Sequence, residues 1–248
     1  MKYTPIGTRG KRKDLVCAPD RVMKETPEKT EERKRARELA SEYAERGDPT
    51  GWFEQLYKEG AAGETEIPWA DMEPNRFFKA WAERTGLKGH GRKALVVGCG
   101  LGDDAIYLEQ LGFEVTAFDI SHTAIEWARR LHPESNVNFE QGDLLEPYSG
   151  WLGAFEFVLE IYTIQPLPIE LRPTVIDRVA SLVAPGGELI VVARGRGDDE
   201  EPDQLPWPLS RRDLSRFIEN SLEEVSFEEV PSDEEGDTPR FIIQYRRD

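Results

Sequence analysis

Cysteine and histidine are scarce in this chain. Cys17 and Cys99 are the only cysteines, and three histidines are spread over 248 residues. No Cys/His group has zinc spacing, and two thiols make no disulfide scaffold, so no metal is expected and a reducing cytoplasm is the natural setting. Long apolar runs are missing too: none approaches the ~20 residues of a membrane span. The opening residues, MKYTPIGTRGKRKDL, hold no apolar stretch of a secretory leader. Positive charge is in deficit, with 32 Lys and Arg against 48 Asp and Glu and a net charge of −16. Such a field repels phosphate backbones and argues against nucleic acid as a partner. The basic stretch from Gly10 to Lys13 is too short to reverse this and reads as a solvated tail. What is present is 38% hydrophobic and 32% charged residues, enough for one sizeable core. A monomer with a small-molecule partner, free of membrane, is expected.

The chain changes character near residue 90. Before it, charged helical patterns dominate. Thr26 and Pro27 read as an N-cap and first helical residue, Ala36, Leu39, Ala40 and Tyr43 repeat at helical spacing, and Gly47 is a stop. This amphipathic helix reads as packed on the main domain, with a lid over a site as the alternative. After residue 90 strands and helices alternate. KALVVG, FEVTAFD, VNFEQGD, FEFVLE and ELIVVAR read as strands. DDAIYLEQLG reads as a helix ending at Gly112, and SHTAIEWARRLHP as one capped by Ser121 and closed before Pro133. PIELRPTVIDRVASLV is mainly helical and is followed by a turn at Ala184, Pro185, Gly186 and Gly187. LEEVSFEEV and RFIIQYRR read as a strand pair joined by the acidic loop SDEEGDTP. The fold expected is α/β: a Rossmann-like, doubly wound, mostly parallel sheet ending in an antiparallel C-terminal hairpin. Residues 1–50 form an N-terminal extension, partly flexible and then helical, and 51–248 the main domain.

The stretch LVVGCGLGDD places Gly98, Gly100 and Gly102 where the first strand gives way to a helix starting near Asp103. Ligands of open α/β sheets bind beyond the carboxyl ends of the strands. Glycines there let backbone approach a ligand, and the helix N-terminus aims its N–H groups at the same place. Asp119 ends the second strand, where a carboxylate can accept both ribose hydroxyl hydrogens. A dinucleotide fingerprint wants G-x-G-x-x-G, but Asp103 stands where the third glycine belongs. Asp103 and Asp104 also put negative charge where a pyrophosphate would sit. A cofactor with a cationic centre and no phosphate fits better.

Here the chain resembles the class I S-adenosylmethionine-dependent methyltransferases, over roughly residues 51–246. The resemblance is carried by ALVVGCGLG, FEVTAFDIS, the pair Gly142–Asp143, FEFVLE and LVAPGGELIVV. It implies S-adenosyl-L-methionine as cofactor. The glycine loop would contact its amino-acid part, Asp119 with the adjoining Ile120 its ribose, and Asp143 with Leu144 its adenine. Many members carry an acidic residue two positions before the first glycine, where this chain has Val96. A narrower resemblance, to thiopurine- and thiol-type small-molecule methyltransferases, rests on GWFEQLYKEGAAGETEIPWADMEPNRFF. It implies an N-terminal segment folded over the cofactor, with Trp52 and Trp69 as the aromatic contacts. Trp69 is favoured because Pro68 fixes its approach, and Trp52 reads equally as core.

Other candidates come from strand ends. Glu160 ends the fourth strand and reads as a base, a cofactor-contacting carboxylate or a structural group. Tyr162 and Gln165 follow it as catalytic and substrate candidates. Arg194 ends the fifth strand and either binds a substrate carboxylate or pairs with the acidic loop Asp198 to Glu201. None of His90, His122 and His132 stands at a strand end, so no catalytic histidine is expected. Cys99 reads as buried filler. PWPLSRRDL leads to a helix capped near Ser210 that borders the cleft. The expected activity is methyl transfer to a small molecule, with a thiol or other soft nucleophile first. A nicotinamide-dependent oxidoreductase and a non-catalytic cofactor-binding protein are the alternatives.

Overall fold

A computed structural model describes residues 27–146, 150–202, 205–231 and 238–248. Cys17, the basic tail, the Thr26 cap and most of the acidic hairpin loop lie outside them. The chain opens with three helices, α1 (Pro27–Glu45), α2 (Gly51–Ala61) and α3 (Arg76–Thr85). The alternating part follows as β1 (Lys93–Val97), α4 (Asp103–Gln110), β2 (Glu114–Asp119), α5 (His122–Leu131), β3 (Asn138–Gln141) and β4 (Phe155–Ile161). It ends with α6 (Arg172–Leu182), β5 (Val183–Arg194), the short helices α7 (Arg211–Leu214) and α8 (Arg216–Glu219), β6 (Leu222–Val230) and β7 (Arg240–Arg247). Among the described residues no helix is long and apolar enough to cross a membrane.

The seven strands form one sheet in the order β3-β2-β1-β4-β5-β7-β6. The first five run parallel, while β7 is antiparallel to both β5 and β6. The β-branched and aromatic strand residues alternate between two faces. Leu95, Val97, Phe118, Val158 and Val191 pack against α6 and α8. Val96, Ala117, Leu159 and Val192 pack against α3, α4 and α5. Order reverses between β1 and β4, so their carboxyl ends bound the crevice where such sheets bind ligands.

Local signals act as read. The Ser121 hydroxyl accepts from the Ala124 amide, and Ser210 forms a capping box with Asp213. Gly47, at φ +73°, follows the end of α1. The segment from Ala184 to Gly187 departs from expectation. It is no free turn but a wide bulge inside β5: Phe155 pairs with Val183 and Phe157 with Glu188, so two residues of β4 span five of β5. The pairing on both sides extends the strand through a sequence whose local preference is to turn.

The N-terminal helices make a third core beside the sheet. Ala36 and Leu39 of α1, Trp52, Leu56 and Tyr57 of α2 and Ile67 are buried with Leu101 and Ala124. The Arg35 guanidinium donates to both oxygens of Glu59, locking α1 to α2. The first helix therefore packs, as expected, and serves as the base on which α2 rests.

Candidate functional site

The glycine loop, residues 98–102, is built by backbone conformation. Gly98, Gly100 and Gly102 have φ of +61°, +54° and +93°, the left-handed region that side chains resist. A Cβ on Gly98 would fall 2.5 Å from the Thr163 hydroxyl, and one on Gly102 would fall 2.8 Å from the Phe139 ring. At Gly100 the neighbour is the cover: a Cβ there would stand 2.8 Å from the Tyr57 hydroxyl and 4.0 Å from the Trp69 ring.

That cover is an aromatic cluster. The Trp69 Nε1–H donates to the Tyr57 hydroxyl at 2.8 Å, and Trp69 meets Trp52, Phe53 and Tyr57 edge-on. Trp69 is 41% exposed, whereas Trp52 is 2% exposed. Trp69 is thus the tryptophan over the loop, and Trp52 is a core residue behind it. Of the two readings of Trp52, this burial favours core over direct contact. Tyr57 escaped the sequence reading. Its i+12 distance from Trp69 is not a helical period, so only the strap between α2 and α3 brings the two together.

Asp119 is buried, and its two oxygens accept from the Gly100 and Ser121 amides, each at 2.9 Å. Burial pushes its carboxyl up, against those two hydrogen bonds. Each oxygen keeps a lone pair for a ribose hydroxyl. Beside it, the Ser121 and Thr123 hydroxyls and the Thr123 amide donate to Glu54 of α2. Burial works against the Glu54 charge, but these bonds prevail and hold its carboxyl below the usual range. Glu54 thereby fastens the aromatic cover to the strand end that carries Asp119. Ile120 lends its carbonyl to the Gln141 side chain, and the Asp119 carbonyl accepts from the Gly142 amide, so β2 and β3 end together. Asp143 accepts from Leu145 across its own turn, and Leu144 is core.

Asp104 and Gln165 differ from expectation. Asp104 does not face a ligand. It is buried, its Oδ1 accepts from the Asn75 amide at 2.7 Å, and burial pushes its carboxyl up to about 7. Asn75 in turn caps α3, so the aspartate secures the third helix. Gln165 is likewise buried, with its Oε1 on the Arg194 amide at 2.8 Å, and serves to tie the β4 and β5 ends. Tyr162 adopts φ +57°, and its hydroxyl accepts from Arg240 Nε at 3.2 Å. Arg240, 78 residues from Tyr162 in sequence, was not foreseen because β7 reaches this end of the sheet only through antiparallel pairing. The Arg194 and Arg240 positions pair across β5 and β7. Cys99 packs beside the sheet, where burial holds its thiol well above the usual range, so it is no nucleophile. His132 closes α5, with Nε2 3.2 Å from the Leu101 carbonyl of the glycine loop.

Glu160 is wholly buried at the end of β4, opposite Val97. Its Oε1 accepts from the Thr163 and Ile164 amides at 2.7 and 3.0 Å, and its Oε2 has no partner. Burial pushes this carboxyl up to about 7. A raised acid gives stability that is complete below its unfolded value, near 4.5, and is lost as pH rises to about 7. Glu160→Gln removes that loss. Relative to the parent, it should be more stable at pH 8 than at pH 5, with the relative gain on the order of 1–3 kcal/mol. Urea unfolding at the two pH values checks this, and a pH-independent difference contradicts it.

Residues 94–187 match the methyltransferase domain family. The chain carries a class I S-adenosylmethionine-dependent methyltransferase domain. It is 27% identical over 172 residues to 2-heptyl-1-hydroxyquinolin-4(1H)-one methyltransferase of Mycobacteroides abscessus, covering 67% of this chain and 74% of that protein. It is 30% identical over 146 residues to probable thiol methyltransferase 2 of Arabidopsis thaliana, covering 58% and 61%. A structure solved in work on conversion of a disulfide bond into a thioacetal group during echinomycin biosynthesis aligns with a TM-score of 0.62 at 25% identity, covering 79% and 93%. The methyltransferase domain fits its cofactor: a bare-backbone loop under an aromatic cover, a clamped carboxylate at the β2 end, and an unpartnered buried carboxylate oxygen at the β4 end.

Proposed function

We propose that this methyltransferase acts on a small molecule, with a thiol or a similarly ionisable soft centre as the acceptor. One observation carries the reading: among the described residues no histidine stands at a strand end, where a general base would meet the acceptor. The Glu160 carboxyl is wholly buried with one oxygen held by two amides, burial suppresses the Cys99 thiol, and His132 is engaged at the end of α5 beside the Leu101 carbonyl. An acceptor that ionises readily needs no such base, whereas an alcohol does. The names of two relatives, a thiol methyltransferase and a 1-hydroxyquinolinone methyltransferase, agree with such acceptors.

In this reading Gly98, Gly100 and Gly102 hold the cofactor's amino-acid part, Asp119 and Ile120 the ribose, and Asp143 and Leu144 the adenine. When bound, the cofactor supplies a methyl group already activated on a sulfonium. Trp69 and Tyr57 close over the loop and exclude water, and aromatic rings favour a sulfonium by ~0.5–2 kcal/mol. Tyr162 orients the acceptor beside β4 and Arg194 contributes to its site. Orientation alone supplies ~7–11 kcal/mol of the barrier in well-placed reactions.

A labelled-methyl transfer screen over thiols, N-hydroxy heterocycles, amines, phenols and carboxylates tests this. Thiols should lead, with a rate that climbs with pH toward the acceptor's own pKa, near ~8.5 for a simple thiol. Activity on amines or alcohols alone, with a pH profile independent of the acceptor, overturns the reading.

A further inference from the structure

A cavity of about 510 Å³ opens beside the strap between α2 and α3, and none of Gly98, Gly100, Asp119, Glu160 and Trp69 lines it. Ile67 and Ala70 of the strap, Leu101 and the Trp127 ring of α5 supply apolar walls, with Met72, 52% exposed, among them. Gly60 lets these walls meet: a Cβ there would stand 2.7 Å from Ile67 Cδ1 and 3.4 Å from the Trp127 ring. Trp69, between Ile67 and Ala70 in sequence, stands over Gly100, so one strap serves both the cavity and the cover.

The charges at this cavity share one sign. Glu64 and Glu66 line it and are exposed, and among the described residues no lysine, arginine or histidine does so. The last turn of α2, at Gly60 and Ala61, ends beside it, and helix C-termini favour cations. Lys58, the cation of that turn, is drawn to Glu54 at 3.3 Å. The net charge of −16 adds to the same field. The Trp127 ring completes the set, because an aromatic face attracts a cation and its apolar groups together. We propose that the cavity is a second small-molecule site, which takes an amphipathic cation: an ammonium head at Glu64 and Glu66, and an apolar body against Trp127, Ile67 and Leu101. An anion of the same shape meets repulsion there, and a neutral apolar ligand leaves the two carboxylates unused.

Ligand-observed NMR titrations with benzyltrimethylammonium test the proposal, with 3-phenylpropionate as the anionic probe of similar size. A quaternary ammonium takes no further methyl group, so its binding is read apart from methyl transfer. The cation should bind with and without saturating S-adenosylhomocysteine, and the anion should not bind. The double variant Glu64→Gln, Glu66→Gln changes only exposed side chains and should weaken the cation about 3–10-fold. Trp127→Leu should weaken it about 3–5-fold. No binding by the parent, equal binding of the two probes, or unchanged affinity in either folded variant overturns the proposal. Displacement of the cation by S-adenosylhomocysteine assigns it to the Trp69 cover and overturns the proposal too.

Discussion

Gly100→Val should abolish measurable binding of S-adenosylhomocysteine, a loss of at least about 100-fold from a micromolar Kd, near 3 kcal/mol. The residue adopts φ +54°, and a Cβ there would approach the Tyr57 hydroxyl to 2.8 Å. A β-branched side chain is a poor occupant of the left-handed region, at a cost of roughly 1–3 kcal/mol. The added methyls also press on the Tyr57–Trp69 pair and fill the space where ligand and backbone meet. Stability should fall by only that strain, while binding suffers strain and exclusion together. Calorimetry and thermal unfolding on the same sample separate the two. Normal binding in a folded variant would mean that the glycines serve only the turn.

Asp119→Ala should strike both fold and function. It removes the acceptor for the Gly100 and Ser121 amides, two buried donors at 2.9 Å. Leaving buried donors unmet costs about 1–3 kcal/mol each, so stability should drop by roughly 2–6 kcal/mol. Loss of the ribose contacts should weaken S-adenosylhomocysteine by a further ~1.5–3 kcal/mol. Asp119→Asn keeps one acceptor oxygen and should fall between parent and alanine in both measurements. Unchanged ligand affinity in either folded variant removes Asp119 from the site.

The alternating half of the chain was legible because its signals are local. Strand ends at Val97 and Asp119, the Ser121 cap and the glycine loop all follow from neighbours within a few residues. Trp69 was readable as the cover because proline fixes the chain before it. What stayed hidden depends on distant partners. The Ala184–Gly187 bulge exists because β4 pairs on both sides of it, which overrides a turn-forming sequence. Asp104 looked like free charge at a helix start, yet it is held by the Asn75 amide, 29 residues away. Glu54 and Tyr57 matter through contacts with Thr123 and Trp69 that no helical period encodes. Gln165 and Trp52 were the right chemical types near the right strand ends, but burial assigns them to the frame.

We propose that the glycine loop, Asp119 and the Tyr57–Trp69 cover together form a site for S-adenosylmethionine. Parallel calorimetric titrations with S-adenosylhomocysteine and NAD test it most directly. S-adenosylhomocysteine should bind with a micromolar Kd, roughly −8 kcal/mol, and NAD should give no saturable heat. Saturable binding of NAD with none of S-adenosylhomocysteine would contradict it.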